Sequence, residues 1–168
     1  MASELPTTAR IESFSDAVIA IVITIMVLDL KFPDDVYATH SLIGMIDLAT
    51  PKVLVYLLSF VTIAILLVNH HALMRHAPHA TAPLYWWNAH LLFWLSLIPF
   101  STATMGTNPF EPSAVAFYGA VLGLNGFAFM MLHIYVSRRG VAGGLSSLRT
   151  RSVIVKDAVS TVLYAASI

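Results

Sequence analysis

The sequence contains no cysteine. That removes disulfides, thiolate metal sites and cysteine nucleophiles from consideration. Charge is also scarce. Asp, Glu, Lys and Arg make up 11% of the 168 residues, and nine basic side chains balance nine acidic ones. A balanced chain of this kind carries no basic stripe for nucleic acid. Catalytic signatures are missing too: there is no G-x-S-x-G, no H-E-x-x-H and no phosphate-binding glycine loop. Nor is there a T-V-G-Y-G carbonyl filter. Phe117-Tyr118-Gly119-Ala120 lies inside an apolar run and does not substitute for one. The opening residues lack a basic n-region. The first apolar run contains Asp16 and ends in DLKFPDD without a small-residue cleavage site, which predicts a retained helix and not a signal peptide.

What the chain has is apolar residues. They make up 58% of it, and the mean hydropathy is +0.79. Several long apolar runs at that level predict an integral membrane protein, an all-α polytopic helical bundle forming a single transmembrane domain over residues 1–168. Spans are expected at about 14–32, 52–73, 84–106 and 113–136. Each is long enough for a hydrocarbon core of roughly 30 Å. Pro33-Asp34-Asp35 stops the first. A polar connection over 34–50 holds a short amphipathic piece, SLIGMIDLA, suited to the interface. Pro51 suits a helix start, and Pro99 bends the third span. After Arg138-Arg139-Gly140 comes a polar loop and a partial fifth segment, 152–168, which is short for a span.

The basic residues orient the bundle. With a cytoplasmic N-terminus, Arg10, Arg75, Arg138, Arg139, Arg149 and Arg151 fall inside with Lys156 near them, and only Lys31 and Lys52 fall outside. Tyr85, Trp86 and Trp87 then form an inner interfacial belt. Asp29, Asp34 and Asp35 make the outer end of the first span acidic, which either concentrates cations or simply solvates a loop. Gly119-x-x-x-Gly123 reads as close helix packing, with a contact between subunits as the second option.

The first run, Arg10 to Pro33, organises the rest. On a wheel of 100° per residue, Phe14, Ala17, Val18, Ile21, Thr24, Ile25, Leu28 and Phe32 share one stripe. Asp16 lies roughly opposite, near Ala20, Ile23 and Val27, with Ser15 between. Arg10, Ser13, Ser15 and Asp16 need protein or water around them in a membrane. Two readings stay open. In one, this is an ordinary spanning helix whose Asp16 pairs with Arg10 near the interface. In the other, Asp16 locks the helix into its subunit and the Ile21/Thr24/Ile25/Leu28 stripe faces something else.

Seven histidines support a competing reading, since imidazoles bind haem and metals. Their spacing argues against it. His70 and His71 are adjacent and point about 100° apart, and no Asp or Glu accompanies them in a ligand pattern. No cofactor and no metal site are expected. Depth instead pairs His70 or His71, with Asn69 or Asn88, with the Asp16/Ser15/Arg10 cluster, because buried polar groups need partners.

Arg10-x-x-x-Phe14-Ser15-Asp16-Ala17, followed by Ala20-Ile21-x-Ile23-Thr24 and Leu28, resembles the first-helix signature of the transmembrane protein 175 family. These are the lysosomal potassium channels and their prokaryotic homologues. The resemblance is densest over this helix. It implies a channel and not an enzyme, conducting K⁺ down its gradient in a bacterial plasma membrane. It further implies a homotetramer whose first helices line the pore. In it Ile21 is the closing ring, Thr24 the pore hydroxyl, and Ile25 and Leu28 lower apolar rungs. Arg10, Phe14, Ser15 and Asp16 with Asn69, His70, His71 and Asn88 form a structural polar cluster. One first helix alone encloses no pore, so several subunits around an axis are required in any case. Six helices are expected in prokaryotic members, which implies a chain cut short of the last. A haem or metal membrane enzyme and a small transporter remain the alternatives. A Soret band or stoichiometric metal marks the first, and channel-like rates exclude the second.

Overall fold

A computed structural model describes residues 8–30, 42–77 and 79–141. Within them the chain forms five helices: α1 (Ala9–Leu28), α2 (Leu42–Met74), α3 (Ala82–Ser96), α4 (Ile98–Thr107) and α5 (Pro112–Val141). Four stretches are long and apolar enough to cross a membrane, with α3 and α4 together making one of them. Phe32, the Pro33-Asp34-Asp35 stop, the basic residues Lys31, Arg149, Arg151 and Lys156, and the segment 152–168 lie outside the described residues.

The helix boundaries follow from local chemistry. Thr81 caps α3, its side chain accepting from the Leu84 backbone N–H at 3.4 Å. Pro99 has no N–H for the Leu95 carbonyl, so the helix breaks and restarts around Leu97. There the Leu97 N–H bonds to Trp94 O at 3.2 Å, one residue closer than in a regular helix. The expected bend at Pro99 is thus a break two residues earlier. Pro51, expected at a helix start, lies inside α2, which begins at Leu42 and runs unbroken through the predicted interfacial piece. Proline deprives that helix of one donor where the amphipathic first turns meet the apolar span that starts at Thr50.

α1 packs on α2, α3 and α4, while α3 and α4 pack on α5 and α4 packs on α2. The core runs through Ile11, Ile19 and Met26 of α1, Ile63 of α2, Leu91, Leu95 and Ile98 at the α3–α4 break, and Leu132 of α5. Burial of these side chains excludes lipid as it would exclude water, so tight packing holds the bundle together. Outward-facing Leu54, Leu58, Val61, Ile65 and Val68 on α2 are exposed, as are Phe93 and Phe127 on α3 and α5. A bilayer makes such an exterior stable.

At Gly123 the expected close packing is not made within this chain, where a Cβ would meet nothing within 4 Å. Gly106 does admit a neighbour, since a Cβ there would lie 3.5 Å from the Lys52 backbone. α4 therefore ends tightly against the start of the α2 span. Asp16 meets His71, and Thr81 meets Tyr135 at 2.8 Å. These contacts place the starts of α1 and α3 and the ends of α2 and α5 at one end of the bundle. Arg10, Arg75, Arg138 and Arg139 share that end, and Tyr85 and Trp86 are exposed beside it.

Candidate functional site on the first helix

α1 has two unlike faces. Ile11, Ser15, Ile19, Val22 and Met26 recur every three or four residues and are buried. Phe14, Ala17, Ile21, Thr24, Ile25 and Leu28 face away from the chain's own core and are exposed, Ile21 by 56% and Leu28 by 57%. Val18 falls at the border and packs against the core, so it leaves the predicted stripe. Thr24 adds a polar feature to the exposed face. Its hydroxyl donates to Ile21 O at 2.9 Å, which uses the proton and leaves oxygen lone pairs available.

Behind this stripe the chain builds a hydrogen-bonded chain of neutral groups across three helices. His70 Nε2–H of α2 donates to Asn88 Oδ1 of α3 at 2.8 Å. Asn88 Nδ2 donates to Ser15 Oγ of α1 at 2.9 Å. The Ser15 hydroxyl then donates to Ile11 O at 2.8 Å. All three side chains are buried, Ser15 completely. Donation from Nε2 leaves His70 Nδ1 a bare lone pair, and that atom is buried without a partner. A second link lies nearer the surface. His71 Nε2–H donates to Asp16 Oδ1 at 2.7 Å, and the Asp16 side chain is 45% exposed.

The structure thus brings together Ser15, Asn88 and His70, and separately Asp16 and His71. It does not bring in the rest of the predicted cluster. Arg10 is exposed, stands outside both links and continues the exposed face one turn before Phe14. The predicted Asp16–Arg10 pair is therefore replaced by Asp16–His71. Phe14 is exposed on that same face, and Asn69 is exposed because its neighbour His70 takes the inward direction. Ser15, not Asp16, is the deepest polar residue of α1.

Three further histidines make local contacts. Trp94 Nε1–H donates to His90 Nε2 at 2.9 Å along α3, and His76 Nδ1 lies 2.7 Å from Ala72 O of its own chain turn. His133 packs edge-on to Phe129. Among the described residues no three His, Asp or Glu side chains converge as a metal-ligand set. One cluster escaped the sequence reading. Ser59 of α2 lies 2.8 Å from the Thr102 hydroxyl of α4 and 2.9 Å from the Tyr118 hydroxyl of α5. Isolated hydroxyls within apolar runs were its signal.

Residues 10–99 match the family described as endosomal/lysosomal potassium channel TMEM175. A potassium channel from a Chryseobacterium species is 39% identical over 132 residues, covering 79% of this chain and 66% of that protein. A potassium channel from Chamaesiphon minutus is 35% identical over 114 residues, covering 67% of this chain and 56% of that protein. The chain thus falls just short of two thirds of the length of these curated relatives, or further below it. The fold is similar to the crystal structure of a lysosomal potassium-selective channel TMEM175 homolog from Chamaesiphon minutus. The TM-score is 0.81 at 27% identity, over 95% of this chain and 83% of that one.

Proposed function

The chain belongs to the TMEM175 family of potassium channels, and from that membership we propose that it forms a potassium-selective channel whose pore is lined by α1. It is an integral membrane protein, and its family is one of channels and not of enzymes. The observation that carries the reading is the division of α1. A polar chain through Ser15 locks one face into the subunit, and the other face leaves Ile21, Thr24, Ile25 and Leu28 uncovered. A helix held on one side and bare on the other is what a pore-lining element requires.

In this reading four copies surround an axis and present their α1 stripes to it. Ile21 side chains meet as a ring, with Ile25 and Leu28 as further apolar rungs. Such a ring closes by dewetting, because a narrow hydrophobic constriction cannot replace an ion's hydration shell. Opening tilts or rotates α1 and widens the ring. The Thr24 oxygens then offer lone pairs to a partly dehydrated cation, since their protons are held by Ile21 O. A side-chain hydroxyl ring is softer than a backbone-carbonyl filter, so discrimination between K⁺ and Na⁺ is modest. The N-terminus is cytoplasmic in a bacterial plasma membrane, which places Arg10, Arg75, Arg138 and Arg139 inside.

The test is K⁺ flux into liposomes holding the purified protein, for wild type and Ile21→Asn, repeated with Na⁺. Flux that favours K⁺ and rises in the variant is expected. A correctly assembled Ile21→Asn protein with unchanged flux would mean that the gate lies elsewhere.

A further inference from the structure

At the end of the bundle opposite the arginines, α4 and the start of α5 flank an open groove of about 330 Å³. We propose that this groove holds the primary-ammonium headgroup of a membrane phospholipid, an inference that does not depend on the channel reading. Its rim is polar: Thr104, Asn108, Glu111 and Ser113 line it. Phe100 and Phe117 line it one helical turn further into the span and meet edge to face, with ring centroids 5.5 Å apart. The groove is therefore amphipathic along the membrane normal, as a lipid is.

The chemistry of the rim selects a cationic donor. Glu111 accepts from the Ser113 hydroxyl at 3.2 Å, and no basic side chain among the described residues pairs with it. Lys52, at the same end, packs against Gly106 and does not line the groove. Thr104 gives its proton to Phe100 O at 2.9 Å. The hydroxyl protons of Thr104 and Ser113 are thus both committed inside the protein, so these oxygens have lone pairs to offer. The Glu111 carboxylate and the Asn108 amide oxygen add further acceptors. A primary ammonium carries three N–H donors that such a set can satisfy, and a trimethylammonium carries none. Among the side chains of the rim only the Asn108 amide also donates, so a lone anion finds fewer partners there than an ammonium does.

Position favours a lipid over a free amine. α4 ends at Thr107 and α5 starts at Pro112, so the rim lies where a span leaves the hydrocarbon. Phe110, in the turn between them, is 92% exposed. A ring this apolar and this bare is more stable against lipid than in water, which agrees with a turn at the boundary of the hydrocarbon. Exposed Phe100 then continues the surface towards the acyl chains.

The experiment is native mass spectrometry of the purified, delipidated protein. It is offered equal amounts of phosphatidylethanolamine and phosphatidylcholine with identical acyl chains. Wild type should retain the ethanolamine lipid roughly fivefold over the choline lipid, the scale of one ordinary hydrogen bond, as fits a partly wet site. Glu111→Gln should bring the ratio near one at unchanged oligomer mass. Phe117→Ala should lower retention of both lipids and keep the ratio. Equal retention by wild type, or an unaltered ratio in Glu111→Gln, would overturn the proposal. So would displacement by soluble ethanolamine, which assigns the groove to free amines, or preferred retention of phosphatidylglycerol. Full retention by Phe117→Ala would overturn the placement of the acyl chain.

Discussion

Asn88 Nδ2 donates to Ser15 Oγ at 2.9 Å and so ties α3 to the buried face of α1. The bond does more than join two residues. Asn88 also accepts from His70, so one amide links three helices. The link is neutral at every step, which suits a membrane interior where an unpaired charge is expensive. It holds α1 by the face turned away from Ile21, Thr24 and Leu28. Whatever α1 does with its exposed stripe, its rotation about its own axis is set here.

Asn88→Ala should therefore harm the fold more than Asp16→Ala. The first removes the acceptor of His70 and the donor to Ser15, leaving buried polar atoms unpaired, at about 1–2 kcal/mol. The second breaks one half-exposed pair with His71, worth about 0.5 kcal/mol. Thermal unfolding followed by size-exclusion chromatography in detergent measures both. A clearly lower midpoint is expected for Asn88→Ala and a small shift for Asp16→Ala. The reverse order would show that the outer pair, not the buried amide, holds α1 in place.

The division of α1 into two faces follows from helical period, and the sequence carries it. Depth within the buried face was harder to read. A carboxylate draws attention before a hydroxyl, yet Ser15 sits four residues from both Ile11 and Ile19 and shares their direction. That spacing was the signal for its burial, and the charge of Asp16 masked it. The choice among Asn69, His70 and His71 was not legible in the same way. Neighbouring residues point about 100° apart, and only the position of α3 decides which of them meets Asn88. Gly123 of the Gly119-x-x-x-Gly123 pair was not legible for a similar reason, because a small residue permits a close approach without saying which neighbour, in its own chain or another copy, makes it.

Tyr118→Phe tests the second polar node. The hydroxyl bonds to Ser59, which also bonds to Thr102, so the node joins α2, α4 and α5. Removing it leaves the ring in place and the Ser59–Thr102 bond intact. Interhelical hydrogen bonds in membranes average about 0.6 kcal/mol, so a loss of about that size is expected. The thermal midpoint should fall slightly, with no change in ion discrimination, because the node lies away from the α1 stripe. A changed K⁺/Na⁺ flux ratio in a fully assembled Tyr118→Phe protein would contradict the separation of these two roles.

Thr24 separates the channel reading from a merely lipid-facing α1. Its hydroxyl proton is committed to Ile21 O, and among the described residues the side chain hydrogen-bonds to no other helix. Thr24→Val keeps the shape and removes the oxygen, and Thr24→Ser keeps the oxygen and removes the methyl. Neither should affect assembly by more than about 0.5 kcal/mol, as for other exposed substitutions. If Thr24 oxygens meet a cation at the axis, Thr24→Val lowers the K⁺/Na⁺ flux ratio towards one, while Thr24→Ser holds it. A helix whose stripe faces lipid gives the same ratio in all three proteins. The measurement is paired K⁺ and Na⁺ flux from the same liposome preparation, with oligomer mass checked for each variant. Loss in Thr24→Ser with the ratio held in Thr24→Val would point to the methyl group and to packing around the ring, not to coordination by oxygen.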